Sequence, residues 1–252
     1  MTQPMSPILS VRGLAKHFGG VAAVQGVDLD LPPGLITALV GPNGAGKTTL
    51  FNLITGAVAA DAGRVTLAGK ELARRTPARM ARLGVARSFQ DLRLFQSMSV
   101  YANVLTATEP HAWFWQPGGR RARMQRLQAT ELALAETGLS PLADALAAEL
   151  AYAERKFLSL ARILATGARI WLLDEPASGL DPASRSRFSA LLRKHAAHGV
   201  AICLVEHNLD IVAELADRIV FLDQGRKLAE GEPGAILRDP ALAAIYFGEQ
   251  RA

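Results

Sequence analysis

The sequence predicts an α/β fold with a parallel sheet at its core, an antiparallel β subdomain ahead of that sheet and a helical insertion within it. Three observations carry this expectation. Residues 35–40 form a short apolar run, followed at once by a glycine-rich loop and a helix-compatible stretch. Residues 168–173 and 200–205 are near-continuous apolar runs, suited to strands buried on both faces of a parallel sheet. Between about residues 91 and 149 the pattern turns to a helical periodicity rich in Ala and Leu.

From residue 8 to about 67, short β-like runs alternate with turns, among them residues 21–24 and 27–31, ended by Pro32, Pro33 and Gly34. These read as antiparallel strands beside the main sheet. After the apolar strand come Gly41, Pro42, Asn43, Gly44, Ala45, Gly46, Lys47, Thr48 and Thr49, which fit the phosphate-loop pattern G-x-x-x-x-G-K-[ST]. Residues 48–55 continue as a helix with Gly56 as its stop. Strand, loop and helix in this order aim several backbone N–H groups and the positive helix end at one spot, where they hold phosphate oxygens. Lys47 adds a point charge for the β- and γ-phosphates, and the Thr48 hydroxyl suits Mg²⁺. A phosphate-loop (P-loop) NTPase core follows, with a nucleoside triphosphate as fuel.

Within the helical insertion, residues 123–137 are the clearest helix, stopped by Gly138. The chain closes with a hairpin over residues 218–229, turning at Gln224 and Gly225, and a short helical tail. The expected arrangement is one nucleotide-binding domain over residues 8–249, with the insertion at about 91–149 and the tail at about 224–252.

Half of the 252 residues are apolar and 20% charged, an ordinary soluble balance with material for a substantial core. The longest apolar runs fall far short of the roughly 20 residues that cross a bilayer. Residues 1–7 lack a basic region followed by an apolar stretch, so no secretory signal is expected. Cys203 is the single cysteine and lies in an apolar run; it reads as a core residue in a reducing cytoplasm. Net charge is +5, with arginines at 74, 75, 79, 82, 87 and 93 and again at 120, 121, 123 and 126. Few aromatics alternate with them, so they read as a solvated face and not a nucleic-acid surface. Proximity to a membrane surface is the sharper alternative.

Asp174 and Glu175 follow the apolar run that ends at residue 173, at the strand end where an open α/β sheet places its ligand. Asp174 suits Mg²⁺, usually through water, and Glu175 suits polarising the water that attacks the γ-phosphate. A second strand ends at Val205, so His207 falls on the same sheet edge as a γ-phosphate contact. Gln90 is an uncharged group able to touch Mg²⁺ and the attacking water.

Together these residues resemble the nucleotide-binding subunit of an ATP-binding cassette (ABC) transporter, over about residues 8–249. The resemblance implies an ABC ATPase fold. It matches Phe18 to the aromatic that stacks on adenine, Gly41 to Thr49 to the phosphate loop and Gln90 to the Q-loop. Asp174 matches the Walker B acid, Glu175 the catalytic base, residues 178–181 the D-loop with Asp181, and His207 the switch histidine. A π face at Phe18 is also a physical means of holding a purine. The resemblance narrows to the LivG type of branched-chain amino acid importer on residues 87–95, on the insertion holding Trp113, Phe114 and Trp115, and on residues 244–249. Those aromatics either pack on a membrane partner or close the helical core. Urea importers carry a closely similar subunit.

The family's signature segment, usually Leu-Ser-Gly-Gly-Gln, reads here Leu150, Ala151, Tyr152, Ala153 and Glu154. In the family it contacts the γ-phosphate bound to the other subunit of a closed, head-to-tail dimer. Ala151 supplies no hydroxyl, and losing one hydrogen bond to a charged group costs roughly 1.5–3 kcal/mol, one to two powers of ten in rate. The composite site built with this segment is therefore expected to hydrolyse slowly. Ala153→Gly in the assembled transporter tests this, and unchanged turnover counts against it.

The resemblance further implies ATP and Mg²⁺ as ligands, transmembrane permease subunits, a second ATP-binding subunit, identical or homologous, and indirectly a solute-binding protein outside the membrane. It places the chain peripherally on the cytoplasmic face of the inner membrane. A ribosome- or DNA-acting cassette ATPase would carry two cassettes or a long coiled coil, and a small GTPase an Asn-Lys-x-Asp segment that none of the four asparagines supplies. A lipopolysaccharide-export cassette would keep both signature glycines.

Overall fold

The computed structural model describes residues 6–109 and 119–248. Strands β1 (Leu9–Phe18) and β2 (Val21–Leu31) lead into β3 (Ile36–Val40) and helix α1 (Lys47–Thr55). There follow β4 (Ala62–Leu67), β5 (Lys70–Glu71), α2 (Pro77–Arg82), β6 (Val85–Arg87), α3 (Val100–Ala107), α4 (Arg120–Thr137) and α5 (Tyr152–Ala165). The remainder is β7 (Ile170–Asp174), α6 (Pro182–Ala197), β8 (Ala201–Val205), α7 (Leu209–Leu215), β9 (Arg218–Asp223), β10 (Arg226–Gly231), α8 (Pro233–Ile236) and α9 (Pro240–Gly248). Among the described residues no helix is long and apolar enough to cross a membrane.

The larger sheet runs β10-β9-β3-β8-β7-β6. All its pairings are parallel except the terminal β9–β10 hairpin. β3, β7 and β8 are buried at every position, which is why their sequences are continuously apolar instead of alternating. The smaller sheet, β2-β1-β4-β5, is antiparallel. Residues 21–24 and 27–31, which the sequence suggests as separate runs, join into the single strand β2. The register against β1 shifts between the pairs Leu14–Val27 and Lys16–Val24, and Gly26, at φ 68°, absorbs the irregularity.

One core fills the face of the large sheet toward α3–α7, with Trp171, Leu173, Phe157, Phe188, Ile202 and Leu204 at its centre. The other lies between the opposite face, α1 and the small sheet, with Leu9, Leu14, Leu29, Phe51, Leu53 and Ile54. Cys203 is fully buried there, and burial pushes its thiol up to about 12.

Helix ends follow the sequence. Gly56 and Gly138 adopt left-handed conformations after α1 and α4. The Thr76, Ser99, Asp181 and Asn208 side chains cap α2, α3, α6 and α7. The tail helix α9 is tied to the sheet edge by a hydrogen bond from the Tyr246 hydroxyl to the His207 carbonyl. Trp113, Phe114 and Trp115 lie outside the described residues.

Arg74, Arg79, Arg82, Arg93, Arg120, Arg121 and Arg123 are exposed, as a solvated face requires. Arg75 and Arg87 are not part of that face. Arg75 donates to the Leu53 and Leu72 carbonyls, and the Arg87 side chain is 8% exposed.

Candidate functional site

The carboxyl ends of β3, β6, β7 and β8 lie on one edge of the parallel sheet, and each delivers part of the site there. β3 runs into the phosphate loop, β6 into Ser88 and Gln90, β7 ends at Asp174, and β8 leads to Glu206 and His207. A cavity of about 580 Å³ opens at this edge, lined by Asn43 to Thr49, Gln90, Glu175 and His207, and by Val21, Ala22, Ala23, Gln25 and Gln224.

Two glycines of the loop sit where only glycine fits. Gly41, at φ 153°, would place a Cβ 1.9 Å from the Leu222 carbonyl oxygen, and Gly46, at φ 97°, would place one 2.4 Å from the Ala23 carbonyl oxygen. The loop therefore lies against β9 and β2. Gly225 N–H donates to Ala45 O at 3.0 Å, and Gln25 N–H donates to Gly225 O at 2.7 Å, so the hairpin turn joins the same contact. Lys47 is 6% exposed, and its ammonium bridges the loop through the Gly41 and Pro42 carbonyls at 2.6 and 2.8 Å.

At the next strand end, the Thr48 hydroxyl lies 3.4 Å from Asp174 Oδ2. Asp174 is 5% exposed; burial pushes its carboxyl up, Arg87 opposes this, and the charge of Glu175 adds to the rise. Arg87 reaches Asp174 at 3.9 Å and donates to Asn52 Oδ1 at 2.6 Å, with Phe51 and Phe89 against its guanidinium. Asp174 N–H donates to Ser88 Oγ at 2.9 Å.

Glu175 adopts a left-handed backbone, φ 46°, which is strained for a residue with a side chain. Its carboxylate meets His207 Nε2 at 2.8 Å through one oxygen and Gln90 Nε2 at 3.4 Å through the other. The structure thus brings Lys47, Thr48, Gln90, Glu175 and His207 together around one cavity, with Asp174 buried just behind its wall against Thr48.

The other candidate residues stand apart from it. Phe18, 49% exposed at the end of β1, does not line the cavity; Lys16 Nζ stands 5.5 Å from its ring centroid. Asp181 accepts from Ala183 and Ser184 N–H and so caps α6. Ala151 is the N-cap residue of α5, where Glu154 closes the first turn by accepting from Ala151 N–H at 2.7 Å. Ala153 lies in that turn without positive φ, so the backbone itself does not demand glycine there. None of these residues lines the cavity of its own chain.

Sequence reasoning missed Arg87, Ser88, Lys156 and Glu206. A charge ending the apolar strand β6 was the signal for Arg87. Glu206 directly precedes His207 at a strand end, yet it is 1% exposed, accepts from Ala177 N–H at 3.0 Å, and burial pushes its carboxyl up to about 7. Lys156 carries no signal in sequence; its side chain is brought to Glu175 only by the packing of α5.

A cradle of loop amides and a lysine, set beside an acid pair at the edge of a parallel sheet, defines a nucleotide-binding protein of the phosphate-loop type. The sequence profile described as ABC transporter matches residues 24–178, and the chain belongs to that family. The high-affinity branched-chain amino acid transport ATP-binding protein BraF of Pseudomonas aeruginosa is 38% identical over 251 residues, covering 96% of this chain and 98% of the relative. LivG of Escherichia coli, described in the same words, is 39% identical over 253 residues, with the same coverage. Among solved structures, the ADP conformation of MJ1267, an ATP-binding cassette of an ABC transporter, superposes with a TM-score of 0.85 at 30% identity, covering 97% of this chain and all of the other.

Proposed function

We propose that this chain is the ATP-hydrolysing subunit of an importer for branched-chain amino acids. The cluster of Glu175, His207 and Gln90 at the mouth of the phosphate loop carries the catalytic half of this reading. The branched-chain amino acid transport in which BraF and LivG serve supports the substrate class.

ATP would lie along the loop, its phosphates on the backbone N–H groups of residues 43–49 and the Lys47 ammonium. Thr48 and Asp174 would hold Mg²⁺, with Gln90 within reach. Hard oxygen donors, one of them a carboxylate, fit an ion that takes its remaining ligands from phosphate and water. When bound, Mg²⁺ supplies charge neutralisation on the phosphate chain. Glu175 would orient and polarise the attacking water, and His207, held by Glu175, would face the γ-phosphate. Residues 151–154 would complete the site of a second ATP-binding subunit across a head-to-tail dimer.

Permease subunits would dock near the segment after Gln90. A groove of about 630 Å³ there is lined by Phe89, Leu92, Phe95, Met80, Arg162 and Ile163. Buried Asn103 on α3 accepts from Phe95 N–H and donates to the Phe95, Met98 and Ser99 carbonyls, fastening this segment to the helical layer. Such a groove would carry nucleotide state from Gln90 to a membrane partner, with the chain peripheral on the cytoplasmic face.

Uptake of labelled leucine in the host, with labelled urea for comparison, tests the reading. Lys47→Ala is expected to abolish leucine uptake and spare urea. Loss of urea uptake alone would move the assignment to a urea importer, and no loss of either would refute both substrates.

A further inference from the structure

Lys156 takes no part in the chemistry above, and Tyr152 enters it only through the segment offered to a second subunit, yet both reach the segment that carries Glu175. Lys156 is 4% exposed, a costly place for an ammonium unless it is hydrogen-bonded. Its Nζ donates to the Glu175 carbonyl at 2.6 Å. One turn earlier on α5, the Tyr152 hydroxyl donates to the Ser178 carbonyl at 3.3 Å, and Lys156 Nζ stands 5.6 Å from the Tyr152 ring centroid. The same ring lies 2.8 Å from where a Cβ on Gly179 would stand, so it packs directly on that backbone. Residues four apart share a helix face, and one face of α5 therefore grips residues 175–179 at two points. From the other side, Glu206 accepts from Ala177 N–H at 3.0 Å, and the Val205 carbonyl accepts from Glu175 N–H at 2.9 Å.

Glu175 needs such support. A left-handed φ on a residue with a side chain persists only where its surroundings over-determine it. That conformation turns the Glu175 carbonyl toward Lys156 and leaves the carboxylate on His207 and Gln90. A hydrogen bond from a charged donor is about twice as strong as a neutral one, which makes Lys156 the principal anchor and Tyr152 the lesser.

Resting on the proposed role of Glu175 as base, we infer that Lys156, assisted by Tyr152, is a positioning residue that fixes the Glu175 backbone and ties its carboxylate to the helix beginning at the signature segment. The segment that closes on the second subunit's nucleotide is then linked through α5 to the base of this chain's own site. Closure on one nucleotide sets the base at the other.

The test is ATP hydrolysis by the assembled complex carrying wild type, Lys156→Met, Lys156→Arg, Tyr152→Phe or Glu175→Gln, with KM for ATP and melting temperature measured for each. Lys156→Met is expected to lower kcat about tenfold or more, with KM within about twofold and melting near wild type. Lys156→Arg keeps the charged donor and restores most of the rate. Tyr152→Phe, at a half-exposed position that does not threaten folding, lowers kcat about threefold at unchanged KM. Should Lys156→Met fail to fold, Tyr152→Phe decides. Wild-type kcat in Tyr152→Phe, and in Lys156→Met where it folds, overturns the inference while leaving Glu175 as base if Glu175→Gln has stalled. Full turnover by Glu175→Gln, or none by wild type, overturns the reading of Glu175 and the inference with it.

Discussion

Glu206 shows how one side chain can set the response of this molecule to pH. It lies beneath the site, 1% exposed, and burial raises its carboxyl to about 7 from an ordinary 4.5, with the charge of Glu175 adding to the rise. Between those values the folded chain holds a proton that the unfolded chain has released. Stability from this group is therefore full below about 4.5 and is lost as pH rises through about 7. Glu206→Gln keeps an acceptor for Ala177 N–H without the charge. It should raise the melting temperature by several degrees at pH 8, a few kcal/mol at most, and the gain should vanish toward pH 4.5. Calorimetry across that range checks it; a constant difference at all pH values would assign the effect to packing instead.

The joint between the helical layer and the large sheet is an interaction between elements, made where α4 ends against α6. Glu136 Oε1 meets Lys194 Nζ at 2.8 Å and His195 Nε2 at 2.9 Å, and Arg187 donates to the Thr137 carbonyl. Burial pushes the Glu136 carboxyl up, but Lys194 and His195 outweigh it and leave it below its ordinary value. The stability this supplies is present above the ordinary carboxyl range and is lost as pH falls through the lowered value. Glu136→Gln should lower melting by about 2 °C near neutrality, corresponding to about 1 kcal/mol or less for a half-exposed pair, and match wild type near pH 3. An equal loss at pH 3 and pH 7 would show that the charge is immaterial. Such joints were not legible in the sequence, whereas the elements they join largely were. Continuous apolar runs gave β3, β7 and β8, and glycine stops gave the ends of α1 and α4, because these signals are local. Strand β6 is only three residues long and α2 six, too short for periodicity to register. At the site, motif spacing identified Lys47, Asp174, Glu175 and His207, since each follows a strand or a loop of fixed geometry. Lys156 acts through tertiary packing, which no spacing encodes.

At the scale of the whole molecule, the parallel sheet is the common frame. Its carboxyl edge gathers the phosphate loop, Gln90, Asp174, Glu175 and His207, although residues 41 and 207 are far apart in the chain. The small antiparallel sheet packs behind the loop through Ala23 and Gln25. The helical layer carries the signature segment and the groove after Gln90 on the other side. The helical layer therefore meets the segment of Glu175 through Lys156 and Tyr152, whereas the glycine-rich loop packs on β2 and β9. The same frame hides Cys203 in β8, between β3 and β7, fully buried and with its thiol raised to about 12. A thiolate is the reactive form, so alkylating reagents reach this sulfur only when the central strands part. The chain carries its own chemical clock for opening of the sheet, and a cysteine introduced at the surface can take a spectroscopic label alone while that clock stays silent.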